Sequence, residues 1–84
     1  MTDEPRLRRT FKFADFGEAF GFMTQVALRA ERMNHHPDWS NSWNTVEVAL
    51  WTHDASAVTQ NDVELATFMN SIAAGIATSP DAGE

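Results

Sequence analysis

From Arg6 to Phe13 polar and apolar positions nearly alternate, with Leu7, Phe11 and Phe13 on one side and Arg8, Thr10 and Lys12 on the other. A period of two with aromatic residues predicts a strand with one buried face. Arg9 falls on the apolar side and leaves the register near the start open. The period then lengthens. Asp15 supplies an N-cap, and Glu18 three residues later completes a capping box. Phe16, Ala19, Phe20, Met23, Val26, Ala27, Ala30 and Met33 follow at helical spacing and predict one continuous apolar stripe. A second line, Gly17, Gly21, Thr24 and Leu28, would let another helix approach closely and is a candidate subunit contact; two tolerated glycines on an exposed face read equally well.

Asn34-His35-His36-Pro37-Asp38 ends this helix, because Pro37 disfavours helical geometry at His36. Trp39 to Trp43 and Val46 to His53 predict a hairpin joined at Asn44-Thr45, with Val46, Val48, Leu50 and Thr52 alternating with Glu47, Ala49, Trp51 and His53. After a loop from Asp54 to Val58, Thr59 and Asp62 form a second capping box. Leu65, Phe68, Met69, Ile72, Ala73 and Ile76 then share a helical face. The order strand, helix, hairpin, helix predicts an α+β fold, an antiparallel sheet with two helices on one face. One domain spans 1–84, with an ordered core over 6–76 and frayed ends at residues 1 to 5 and from Thr78.

Composition narrows the function classes. A chain of 84 residues supports a single small core, so oligomerisation is an expected source of added stability. The absence of cysteine removes disulfides, thiolate metal sites and cysteine catalysis. Net charge is −6, and after Lys12 only Arg29 and Arg32 stand against ten carboxylates. Such an acidic body repels phosphate backbones, so no direct nucleic-acid partner is expected. The basic residues Arg6, Arg8, Arg9 and Lys12 read as a solvated strand face. No signal peptide and no membrane span are evident, and a cytoplasmic protein is the expectation.

The three histidines carry the candidate chemistry. His35 and His36 follow the first helix and His53 ends the last predicted strand, so both places can share one edge of the sheet. Imidazole titrates near neutral pH and suits proton transfer in either direction. Zinc is the rival reading, with Glu31 or Asp54 as further ligands. Adjacent histidines in extended chain point to opposite sides, however, and no pair has helix-face spacing, so no metal is expected.

The pattern Glu31-x3-His35-His36-Pro37-x5-Trp43-x9-His53-x8-Asp62 resembles the signature of the pterin-4a-carbinolamine dehydratases, in which an aromatic occupies the place of Trp43. Asn34 to Trp39, Thr52-His53-Asp54 and the helix start at Thr59 to Asp62 resemble the family as well, over roughly Leu7 to Ile72. The resemblance implies a hydro-lyase, a 4a-hydroxytetrahydrobiopterin dehydratase. It would convert the 4a-hydroxytetrahydropterin released by aromatic amino-acid hydroxylases to quinonoid dihydropterin and water, within tetrahydrobiopterin recycling. It further implies His35 and His53 as the proton-transfer pair, in either order, and His36 as a third site histidine that holds the pterin. The pterin is the substrate, and no cofactor is implied.

Glu31 could orient His35 or bind the pterin. Asn34, Pro37, Thr52 and Asp54 are further candidate substrate contacts, with Pro37 fixing the turn that aims the histidines. Asp62 belongs to the signature, yet its place three residues after Thr59 is accounted for by helix capping. Trp39 and Trp43 read as core aromatics. Many family members open with a further helix and strand, and this chain starts near their second strand, as short bacterial members do; a shorter sheet and a less covered pterin site are expected. Trp51 stands where many relatives carry a small hydroxyl residue and would narrow the cleft if it faced it. The family also implies a homodimer or homotetramer, with an aromatic amino-acid hydroxylase in the same pathway. The alternative is a non-catalytic binding module, a transcription cofactor acting through its oligomer interface.

Overall fold

A computed structural model of the chain describes residues 5–76. The frayed ends expected at residues 1 to 5 and from Thr78 lie outside that range, Pro5 excepted. The elements run β1 (Leu7–Lys12), α1 (Phe16–Met33), β2 (Asp38–Ser42), β3 (Thr45–Leu50) and α2 (Gln60–Ile76). The strands form one antiparallel sheet in the order β1-β3-β2. The expected α+β layer is therefore the observed fold. Phe11 of β1 and Val46, Val48 and Leu50 of β3 meet Ala19, Phe22, Val26 and Ala30 of α1 and Leu65 and Met69 of α2 in one core.

The register is Leu7 opposite Leu50, Arg9 opposite Val48 and Phe11 opposite Val46. Arg9 thus does lie on the apolar side. Its guanidinium stacks over Phe11, 4.5 Å from the ring centroid, and hydrogen-bonds the side-chain oxygen of Asn70 on α2. The aliphatic stem of an arginine covers apolar surface while its head finds polar partners, which reconciles the charge with that face.

Helix α1 starts as expected: Asp15 accepts from the Glu18 amide at 2.8 Å. The Glu18 carboxylate reaches back one residue further than a simple capping box, to the Ala14 amide at 3.0 Å. The expected apolar stripe holds at Ala19, Val26 and Ala30, with Met23 and Met33 packed half-buried against the core, and departs at three positions. Phe16 and Phe20 are 48% and 54% exposed, with ring centroids 5.6 Å apart and planes tilted by 36°, and Ala27 is exposed. Phe22, which the expected stripe omits, joins Ala19, Val26 and Ala30 in the core. Apolar residues cover more than one face of this helix, so spacing alone did not separate Phe22 from Phe16 and Phe20. Phe22, packed between Phe11 and Phe13 at centroid distances of 4.8 and 5.1 Å, anchors the buried face.

The hairpin turn is Trp43-Asn44, one residue earlier than expected, with Ser42 paired to Thr45. Trp43 adopts φ 51°, an unusual conformation for a large side chain. Two asparagines support it: the Asn41 amide donates to the carbonyls of Trp43 and Thr45, and the Asn44 amide donates to that of Phe13. Trp43 is 64% exposed at the hairpin tip, not a core residue, whereas Trp39 packs half-buried against the core. Strand β3 stops at Leu50 instead of His53, because the chain folds back through an isolated bridge between Thr52 and Ala57.

The core assignment predicts the largest stability loss at Phe22. Phe22→Ala should cost about 3–5 kcal/mol, a large share of the stability of a small domain. Urea unfolding monitored by circular dichroism measures it.

Candidate active site

Three chain reversals converge at one edge of the layer. Helix α1 ends in a Schellman motif: Asn34 takes the left-handed conformation, φ 53° and ψ 43°, its N–H donates to Glu31 and Ala30, and the His35 N–H donates to Ala30. Asparagine tolerates that geometry, and Pro37 then commits the chain to β2. The motif turns His35 away from the helix axis. At the far end of β3, the Thr52 N–H donates to the Ala57 carbonyl at 2.8 Å, closing a tight loop that starts with His53. Thr59 then opens α2, its carbonyl accepting from the amides of Asp62 and Val63.

These reversals enclose a cleft of about 290 Å³ lined by Asn34, His35, His36, Pro37, Asp38, Thr52, His53 and Asp54. Its size is near the lower end of small-molecule sites, roughly 300–1,000 Å³. The structure brings seven of the eight candidate residues into it. Glu31 stands outside, where its carboxylate accepts a 3.3 Å hydrogen bond from His36 Nε2 and not from His35. Both partners are exposed, so this contact is weak. Trp51 does not line the cleft; it packs behind His53, with ring centroids 4.5 Å apart.

The strongest interaction lies beneath the cleft floor. Asp62 is completely buried, and its Oδ1 is 2.6 Å from Nε2 of His35, itself only 11% exposed. Asp62 Oδ2 accepts from the Thr52 hydroxyl at 2.8 Å and from the Thr59 amide at 2.9 Å. Thr52 spends its proton on Asp62, so the Thr59 hydroxyl donates to Thr52 Oγ1, at 2.6 Å. Asp62 therefore does cap α2, as its spacing suggests, and it also holds His35. The signature position hinted at the second role, but the spacing to Thr59 already explained the residue. Asp38 is the other cleft residue the sequence reading passed over; its place directly after Pro37 was the available signal.

Burial pushes the Asp62 carboxyl upward, but the Thr59 amide, the His35 ring, the Thr52 hydroxyl and the charge on a protonated His35 outweigh it and hold the group below its ordinary 3.8. An ionised Asp62 can only accept. Neutral His35 therefore carries its proton on Nε2 and presents Nδ1 as a proton acceptor. Among the described residues, no group of three or more His, Asp or Glu side chains is arranged to hold a metal ion.

Comparison with known proteins agrees with the signature. A family model described as pterin 4 alpha carbinolamine dehydratase matches residues 1–72. A Bradyrhizobium protein provisionally named pterin-4-alpha-carbinolamine dehydratase is 61% identical over 70 residues, 83% of this chain and 70% of the relative. One from Burkholderia multivorans with the same provisional name is 56% identical over 68 residues, 81% and 67%. The crystal structure of a transcriptional coactivator/pterin dehydratase from Brucella melitensis superposes with TM-score 0.83 and 48% identity, covering 87% of this chain and 78% of that one. A pterin dehydratase-like protein identified as a RuBisCO assembly factor in the alpha-carboxysome shares the fold, with TM-score 0.73 and 18% identity over 87% and 84% of the two chains.

The Asp62 network predicts an acid-sensitive stability. A carboxyl held below 3.8 in the folded state contributes fully above that value and loses its contribution as pH falls through the lower folded value. Wild-type unfolding free energy should therefore drop more steeply below about pH 4 than that of Asp62→Asn. Urea midpoints across the acid range measure the difference; parallel curves would exclude an ionised Asp62.

Proposed function

The chain belongs to the pterin-4-alpha-carbinolamine dehydratase family, and on that premise we propose that it dehydrates 4a-hydroxytetrahydropterin to quinonoid dihydropterin and water. The observation that carries this reading is the cleft that gathers His35, His36 and His53, with His35 fixed by a buried carboxylate.

The reaction removes the N5 proton of the pterin while the C4a–O bond breaks and the hydroxyl leaves as water. His35 is the base: Nδ1 accepts the N5 proton, and Asp62 lies against the positive charge the ring then carries. A buried aspartate also orients the base histidine of hydrolytic triads, there through Nδ1 and here through Nε2. His53 is the acid, donating to the leaving hydroxyl, and its exposed position lets solvent return the proton. One proton enters His35 and one leaves His53, so exchange with water resets the pair. The elimination changes no oxidation state and asks for no cofactor; the pterin is the substrate. His36, Asn34, Pro37 and Asp54 are the remaining groups placed to hold the pterin. Thr52 lines the cleft, but its hydroxyl proton is committed to Asp62.

No helix among the described residues is long and apolar enough to cross a membrane. The cytoplasm is the compartment this reading assumes, in tetrahydrobiopterin recycling beside an aromatic amino-acid hydroxylase. A homo-oligomer also belongs to the proposal. Phe16, Phe20 and Leu28 are 48%, 54% and 68% exposed on α1, and a Cβ added at Gly21 would meet nothing within 4 Å. That face is suited to a second copy. The binding-module alternative requires partner capture that survives loss of the histidines.

Carbinolamine loss followed with and without the purified protein tests the function. His35→Ala and His53→Ala should each lower kcat, on the general acid–base scale of about 10²–10⁴-fold. The double variant should cost much less than the product of the two, because acid and base act on one elimination. His36→Ala should mainly raise KM. Wild-type kcat in both single variants would overturn the assignment. For assembly, sedimentation at micromolar concentration should show at least a dimer, and Gly21→Glu should reduce its size without unfolding the chain.

A further inference from the structure

The two proposed proton carriers are held in different ways. His35 is bonded to Asp62. Among the described residues the His53 imidazole has no hydrogen-bond or ion-pair partner, and the ring contact beside it is Trp51, at 4.5 Å between centroids and 55° between planes. That separation and tilt are within the range in which aromatic rings attract.

Trp51 is itself clamped. The Arg6 guanidinium lies over its ring, 4.7 Å from the centroid, and Arg6 Nη1 is 3.4 Å from Asp38 Oδ2. Asp38 lines the same cleft as His53. A line of contacts therefore runs from Asp38 through Arg6 and Trp51 to His53, behind the cleft wall. The indole Nε1 is buried and makes no hydrogen bond. A buried donor without a partner carries a cost, so the polar end of Trp51 does not explain why an indole stands here. Its aromatic faces do, since they touch both Arg6 and His53.

We propose that Trp51 is a positioning residue for His53, holding the imidazole at the cleft through ring contact and held in turn by Arg6. The role follows from geometry. An exposed imidazole at the start of a turn samples several rotamers, and an acid must meet its acceptor within hydrogen-bond reach. Displacement of a reacting group by about 1 Å can cost up to 10²-fold in rate. The kinetic part of this inference rests on the dehydratase reading; the contact itself does not.

The test uses the full chain as wild type, Trp51→Ala, Trp51→Phe, His53→Ala and the Trp51→Ala/His53→Ala double variant. The first readout is the His53 ring resonances in ¹H–¹³C spectra, identified by their loss in His53→Ala. In wild type they should be displaced by the indole ring current. Trp51→Ala should return them to free-imidazole positions, and Trp51→Phe should keep part of the displacement. The second readout is carbinolamine loss. Trp51→Ala should lower kcat about tenfold with little change in KM, as for a misplaced group. Trp51→Phe, which keeps an aromatic face, should stay within about threefold of wild type. In the His53→Ala background Trp51→Ala should add no further loss. If Trp51→Ala does not fold, Trp51→Leu takes its place, keeping apolar bulk without a ring. Free-imidazole shifts in wild type, or an equal loss in the His53→Ala background, would overturn the proposal. A wild type that turns over no carbinolamine would defeat the dehydratase reading instead, and the resonances alone would then decide whether Trp51 positions His53.

Discussion

A carboxylate with no exposed surface has to recover its lost hydration from the protein, and Asp62 recovers it from three separate stretches of chain. The Thr59 amide belongs to the start of α2, the Thr52 hydroxyl to the segment after β3, and the His35 ring to the segment after α1. An unpaired charge in that position costs several kcal/mol, so each bond constrains where its element ends. The cleft is what remains between those three ends. Three hydrogen bonds to the charge beneath it tie its floor together.

The same interaction makes the cleft chemically asymmetric. His35 is nearly buried and locked in one tautomer, whereas His53 stands in solvent at the mouth of a tight loop. For the proposed elimination this difference suits the buried, tautomer-fixed ring to accept a proton and the exposed ring to exchange one with solvent. His36 is a third case, exposed and weakly paired with Glu31, so its ring is free to turn toward a ligand.

Much of this was legible from the sequence, and the limits have physical causes. Element order, both helix starts and the convergence of the histidines followed from periodicity, capping residues and Pro37, all of which act locally. The buried face of α1 followed only in part, at Ala19, Val26 and Ala30. Phe16, Phe20 and Phe22 are equally apolar, and only the ring cluster with Phe11 and Phe13 selects Phe22. The hairpin slipped by one residue because Trp43 takes a conformation its side chain disfavours, supported by Asn41 before the turn and by the bond from Asn44, within it, to Phe13. Asp62 was seen as a cap because that explanation is complete within four residues. Its bond to His35 spans 27 positions and has no local mark.

Stability alone does not account for Asp62. Replacing a buried ion pair by well-packed apolar residues is often neutral or stabilising, and position 62 lies one turn before Leu65, at the edge of an existing core. A cap alone needs only one oxygen, for the Thr59 amide. The second oxygen is directed at His35, and no apolar residue could fix which nitrogen of that ring carries the proton. The helix start thus uses one carboxylate for two tasks, capping α2 and, on the proposed reading, fixing the tautomer of a proton-transferring histidine.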